Sequence, residues 1–112
     1  MDRNVLIDKI KQYISCKEEK ITESCVEIHN MLFVNLRDCI LGLGTILEED
    51  FNMQTYVLSV AAGYVNMNNA IVAIQIEDNK LYMIGYAREG IIHQNTAKKA
   101  IAKIVDRISD YV

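Results

Sequence analysis

The sequence predicts an α+β domain, a small antiparallel sheet carrying helices. Three observations predict it. Two matched β-rich runs lie between Ala70 and Ala87, a third β-rich run spans Thr55 to Val60, and helical apolar stripes occupy both ends of the chain. The expected order is α-α-β-β-β-α, with a three-stranded antiparallel sheet and helices packed on it. The chain of 112 residues, about half of them apolar, fits a single domain spanning 1–112.

The hairpin is the sharpest element. Asp78-Asn79 suits a two-residue type I′ turn, which requires φ > 0 at both central positions. With that turn Glu77 faces Lys80, and Ile76–Leu81, Ile74–Met83, Val72–Gly85 and Ala70–Ala87 fall on one face. Every member of those four pairs is apolar or Gly, and a one-residue slip would scatter them over both faces. The opposite face carries Gln75–Tyr82, Ala73–Ile84 and Ile71–Tyr86. It is more apolar than a solvated sheet face. Ile71, Ala73, Tyr82, Ile84 and Tyr86 are therefore expected at an interface with a second copy. The competing cover is an N-terminal helix of the same chain.

The remaining elements follow from periodicity. From Asn4 to about Cys16, Leu6, Ile10, Tyr13 and Ile14 recur at helical spacing. Lys17-Glu18-Glu19-Lys20 then reads as a solvated turn. Residues 22–49 admit two readings, the helical one running from about 24 to 49. Cys25, Ile28, Leu32, Leu36, Cys39, Leu43 and Ile46 form a helical stripe, whereas Val26 to Arg37 also alternates as a strand does. The longer stripe decides for a helix. Gly42 and Gly44 count against it, at about 1 kcal/mol each relative to Ala. Gly63 to Asn69, rich in Asn, reads as a loop. A terminal helix starts at an Asn95 or Thr96 cap and buries Ala97, Ala100, Ile101, Ile104, Ile108 and Tyr111.

The β-β-β-α order of the second half resembles the last three strands and final helix of roadblock-type domains. The resemblance is one of element order, and it implies a dimeric binding scaffold.

Charge is uneven along the chain. The net charge is −3, yet residues 1–50 carry −4 and residues 80–112 carry +3. Met1-Asp2-Arg3-Asn4 lacks the pattern of a secretory leader, and the long uncharged stretch from Phe51 to Gln75 is interrupted by Asn and Gln. A cytoplasmic location, reduced thiols and no membrane partner are expected. Cys16, Cys25 and Cys39 form no close pair of the kind structural zinc uses, and His29 and His93 do not complete a ligand set, so no metal or other cofactor is expected.

No catalytic constellation emerges. Cys39 beside Asp38 lacks a base, because adjacent helical residues point about 100° apart. Gly42-Leu43-Gly44 has Leu47 where a dinucleotide fingerprint needs its third Gly. Glu18-Glu19 and Glu48-Glu49-Asp50 read as solvated element ends. Arg88, His93, Lys98 and Lys99 gather near the start of the terminal helix, where unpaired N–H groups favour anions. An acidic chain without aromatic residues beside those charges argues against nucleic acid. Two functions are therefore expected in order: a non-enzymatic interaction module that self-associates as a homodimer, with another protein as a further partner class, and then a small-ligand protein or enzyme with an anion site at Arg88, His93, Lys98 and Lys99.

Overall fold

A computed structural model describes residues 2–63, 67–89 and 94–112. Along the chain lie helix α1 (Arg3–Lys11), strand β1 (Thr22–Glu27), helix α2 (Phe33–Ile40), strands β2 (Gly44–Asp50), β3 (Thr55–Ala62), β4 (Asn68–Glu77) and β5 (Lys80–Tyr86), and helix α3 (Thr96–Arg107). Short 3-10 turns occupy Glu18–Lys20 and Ser109–Tyr111. The α+β class holds. The expected three-stranded sheet and α-α-β-β-β-α order do not: the sheet has five strands in the spatial order β1-β5-β4-β3-β2, each neighbouring pair antiparallel.

The error lies in residues 24–49, expected as one helix. They contribute most of β1, all of α2 and most of β2. Two backbone reversals divide them, at Asn30 (φ 58°) and Gly42 (φ 83°). Both sit in the left-handed region, which a continuous right-handed helix excludes. The strand β1 buries one side only partly, so it shows no strong apolar alternation. The next glycine is required for a different reason. A Cβ on Gly44 would stand 2.0 Å from the Ser59 carbonyl oxygen across the β2–β3 pair.

The hairpin is as its sequence dictates. Glu77 pairs Lys80, Ile76 pairs Leu81, Ile74 pairs Met83 and Val72 pairs Gly85. Asp78 and Asn79 both adopt positive φ, at 52° and 59°, the geometry of a type I′ turn.

Helices cover both faces of the sheet. On one face α2 and α3 bury Tyr56, Leu58, Val60, Val72, Ile74, Leu81 and Met83 against Phe33, Leu36, Ile40, Ile101 and Ile104. On the other, α1 lays Leu6, Ile7 and Ile10 over Val57, Ile71, Ala73, Ile84 and Tyr86. Asp2 starts α1 by accepting the Val5 N–H at 3.2 Å. At its other end Lys9 reaches Glu48 and Asp50 on β2, and Tyr13 donates to the Leu47 carbonyl at 3.4 Å.

Candidate functional site

Between α1 and β1 the chain crosses one end of the sheet. Ile14, Cys16 and Ile21 pack against the α1-side core and hold this crossing down. The residues between them, Ser15, Lys17 and Lys20, together with Thr22, turn instead to a cleft of about 600 Å³. Its other wall is the end of β5 and the start of α3: Tyr86, Ala87, Arg88, Glu89 and Ala97. A more open hollow beside it shares Ser15 and Arg88 and adds Lys11 to Cys16. Arg88 belongs to both.

The Arg88 wall is fixed through its backbone. Asn68 Nδ2, at the start of β4, donates to the Arg88 carbonyl at 2.7 Å and to Thr96 Oγ1 at 3.1 Å. Glu89 is turned to α3, where its carboxylate accepts from the Thr96 N–H (2.8 Å), Thr96 Oγ1 (3.2 Å) and the Gln94 N–H (3.4 Å). Those contacts place an acid at the positive end of the α3 dipole. Cations therefore dominate the cleft. Lys17, Lys20 and Arg88 line it, and no carboxylate of the described residues pairs with any of the three. Lys11 is neutralised by Glu18, which accepts its ammonium at 2.6 Å.

The expected anion residues divide. Arg88 lines the cleft; Lys98 and Lys99 are exposed on α3 and do not line it; His93 lies outside the described residues. The helix terminus that was to hold the anion already receives the Glu89 carboxylate. Lys17 and Lys20, read from sequence as a solvated turn, are the cations that join Arg88. Only their flanking apolar residues Ile14 and Ile21 hint that this segment is anchored.

The expected interface residues also divide. Ile71, Ala73, Ile84 and Tyr86 are buried beneath α1, and Tyr82 is half-buried beside them. The chain's own helix supplies the cover on this face.

Two of the thiols, Cys16 and Cys39, are poor nucleophiles. Burial pushes the Cys16 and Cys39 thiols up, Cys39 being raised further by Asp38, and a protonated thiol is unreactive. No group of three or more His, Cys, Asp or Glu among the described residues is placed to hold a metal ion. Among the described lining residues no histidine stands beside the hydroxyls of Ser15, Thr22 and Tyr86. No described helix is long and apolar enough to cross a membrane. Comparison with protein-family models, with curated proteins and with solved structures finds no significant match, roadblock-type domains included.

Proposed function

We propose that this domain binds a small anionic molecule in the cleft between residues 15–22 and the β5–α3 junction. One observation carries the reading: Lys17, Lys20 and Arg88 converge on a single concavity without carboxylate partners among the described residues. Like charges gathered around one cleft raise the local positive potential and attract an anion. The volume of about 600 Å³ lies within the range of about 300–1,000 Å³ usual for small-molecule sites. Arg88 offers a planar fork suited to a carboxylate or phosphate, and the two lysines supply adaptable point charges. Ala87, Ala97 and the Tyr86 ring give the cleft an apolar component, so the ligand that fits is an anionic head on a small apolar body.

The test is a melting-temperature screen of the full chain with phosphate monoesters and with alkyl or aryl carboxylates, using sulfate as the simple-anion control. A ligand of this class raises the melting temperature more than sulfate does. It shifts the backbone NMR signals of Lys17, Lys20 and Arg88, and salt weakens it. The double variant Lys20→Glu, Arg88→Glu, altered at two exposed positions, stays folded and loses the response. Equal responses from wild type and variant, or none beyond sulfate across the screen, overturn the proposal.

A further inference from the structure

The donors around the cleft also discriminate among anions. Lys17 and Lys20 flank a tight turn in which the Lys20 N–H donates to the Lys17 carbonyl at 2.9 Å. That bond holds their backbones together, and both residues line the wall formed by residues 15–22. The acids of the turn do not offset them: Glu18 is held by Lys11, and neither Glu18 nor Glu19 lines the cleft. Ser15 and Thr22 add two hydroxyls to the same wall, and Arg88 stands on the opposite one. Glu89, the one carboxylate among the described lining residues, is engaged at the start of α3.

Two properties of this donor set separate a phosphate monoester from a carboxylate. The first is charge. Three cations without carboxylate partners among the described residues surround the cavity. A monoanion offsets one of them, whereas a phosphate monoester carries a charge of about −1.5 to −2 at neutral pH. The second is shape. A carboxylate presents two oxygens in one plane, and a single guanidinium fork satisfies both. The terminal oxygens of a phosphate point in three directions, and here donors reach the cavity from two walls. The volume of about 600 Å³ is more than a phosphate alone fills, and Tyr86, Ala87 and Ala97 line it beside the charges. An organic group therefore belongs to the ligand. Resting on the anion-cleft reading, we infer that the ligand is a phosphate monoester bound as its dianion. Its phosphate lies between Lys17, Lys20 and Arg88, and its organic group against Tyr86, Ala87 and Ala97.

Calorimetric titration of the full chain with three probes of similar size separates charge from shape. Phenyl phosphate is a tetrahedral dianion, phenyl sulfate a tetrahedral monoanion and benzoate a planar monoanion. At about pH 7.5 phenyl phosphate binds at least about tenfold more tightly than either of the others. At about pH 5, below its second pKa of about 6, that advantage over phenyl sulfate disappears. Phenyl sulfate does not titrate in this range, so it reports any change in the protein's own charge, His93 included, and the ratio of the two affinities isolates the second charge of the ligand. Lys17→Gln, at an exposed position, keeps the wild-type circular dichroism and weakens phenyl phosphate more than phenyl sulfate. Vesicles containing phosphatidic acid carry the same dianion on a lipid. Protein left in solution beside them assigns the site to a free ester, and protein carried down and released by phenyl phosphate assigns it to a lipid headgroup. Phenyl phosphate that binds no tighter than phenyl sulfate, or a ratio indifferent to pH, overturns the inference and leaves the cleft a general anion site. Three probes that bind no better than inorganic sulfate overturn the anion-cleft reading with it.

Discussion

The start of α3 shows how one side chain can do what its neighbours do not. Asn95 stands at the N-cap position but adopts the left-handed conformation (φ 54°, ψ 39°), and its side chain makes no capping hydrogen bond. Glu89 takes that role from upstream by accepting the Thr96 N–H and the Gln94 N–H. Asn95 and Thr96 were legible as a helix start because Asn and Thr commonly cap helices. Glu89 was not, because a loop closing back on a helix leaves no fixed spacing to recognise. Glu89→Ala should cost about 1 kcal/mol, the usual loss on removing a cap, which is about 4 °C in melting temperature for a domain of this size. Glu89→Gln keeps an acceptor but loses the charge–dipole attraction, so its loss should be smaller. Thermal unfolding of the two variants beside wild type checks both the size and the order.

Between elements, Lys9 ties α1 to the edge strand β2 by gripping Glu48 and Asp50. Burial works to lower the Lys9 pKa, but hydrogen bonds to the two carboxylates outweigh it and the net shift is upward. Asp50 is held below the ordinary carboxylate range, first by the Met53 N–H and then by Lys9. The signs follow from linkage. A lowered acid contributes stability above its unfolded pKa and loses it as pH falls below about 4; a raised lysine contributes below its unfolded pKa and loses it as pH climbs past about 10. Lys9→Met should therefore lower the melting temperature by a constant amount between those limits, and the gap from wild type should close at acid pH. A gap that stays constant down to pH 2 would contradict the clip. The same elements show where the sequence was readable. The β4–β5 hairpin declared itself because both of its faces and its turn agree on one register. The strand β2 did not. Glu48, Glu49 and Asp50 looked like a solvated helix end, and a bulge between Ile46 and Glu48 breaks the alternation that would have marked a strand. The cleft was legible only at Arg88, since Lys17 and Lys20 reach it by a contact some seventy positions away that no local pattern records.

Across the molecule, the central strand explains why the apolar outer face of the hairpin was misjudged as a partner surface. Six consecutive residues of β4, Ala70 to Gln75, are buried, so the sheet is covered on both sides by one chain. Ala73 faces the α1-side core while its neighbours Val72 and Ile74 face the α2–α3 core. The two cores are separated by the thickness of one strand. A helix of nine residues is too short to persist without tertiary contacts, and its departure would expose Val57, Ile71, Ala73, Ile84 and Tyr86 together. The two cores should therefore unfold as one unit. Leu6 and Ile104 are both fully buried, on opposite sides of the sheet. Leu6→Ala and Ile104→Ala should each cost about 2–5 kcal/mol, a large share of the roughly 5–15 kcal/mol a domain of this kind possesses. If the cores are coupled, native-state hydrogen exchange at Val72, Ala73 and Ile74 should quicken in both variants, each by the factor its own loss of global stability dictates. If Leu6→Ala quickens exchange only within residues 3–11 and leaves β4 at the wild-type rate, α1 opens by itself. The sheet face beneath it would then be a surface the protein can uncover.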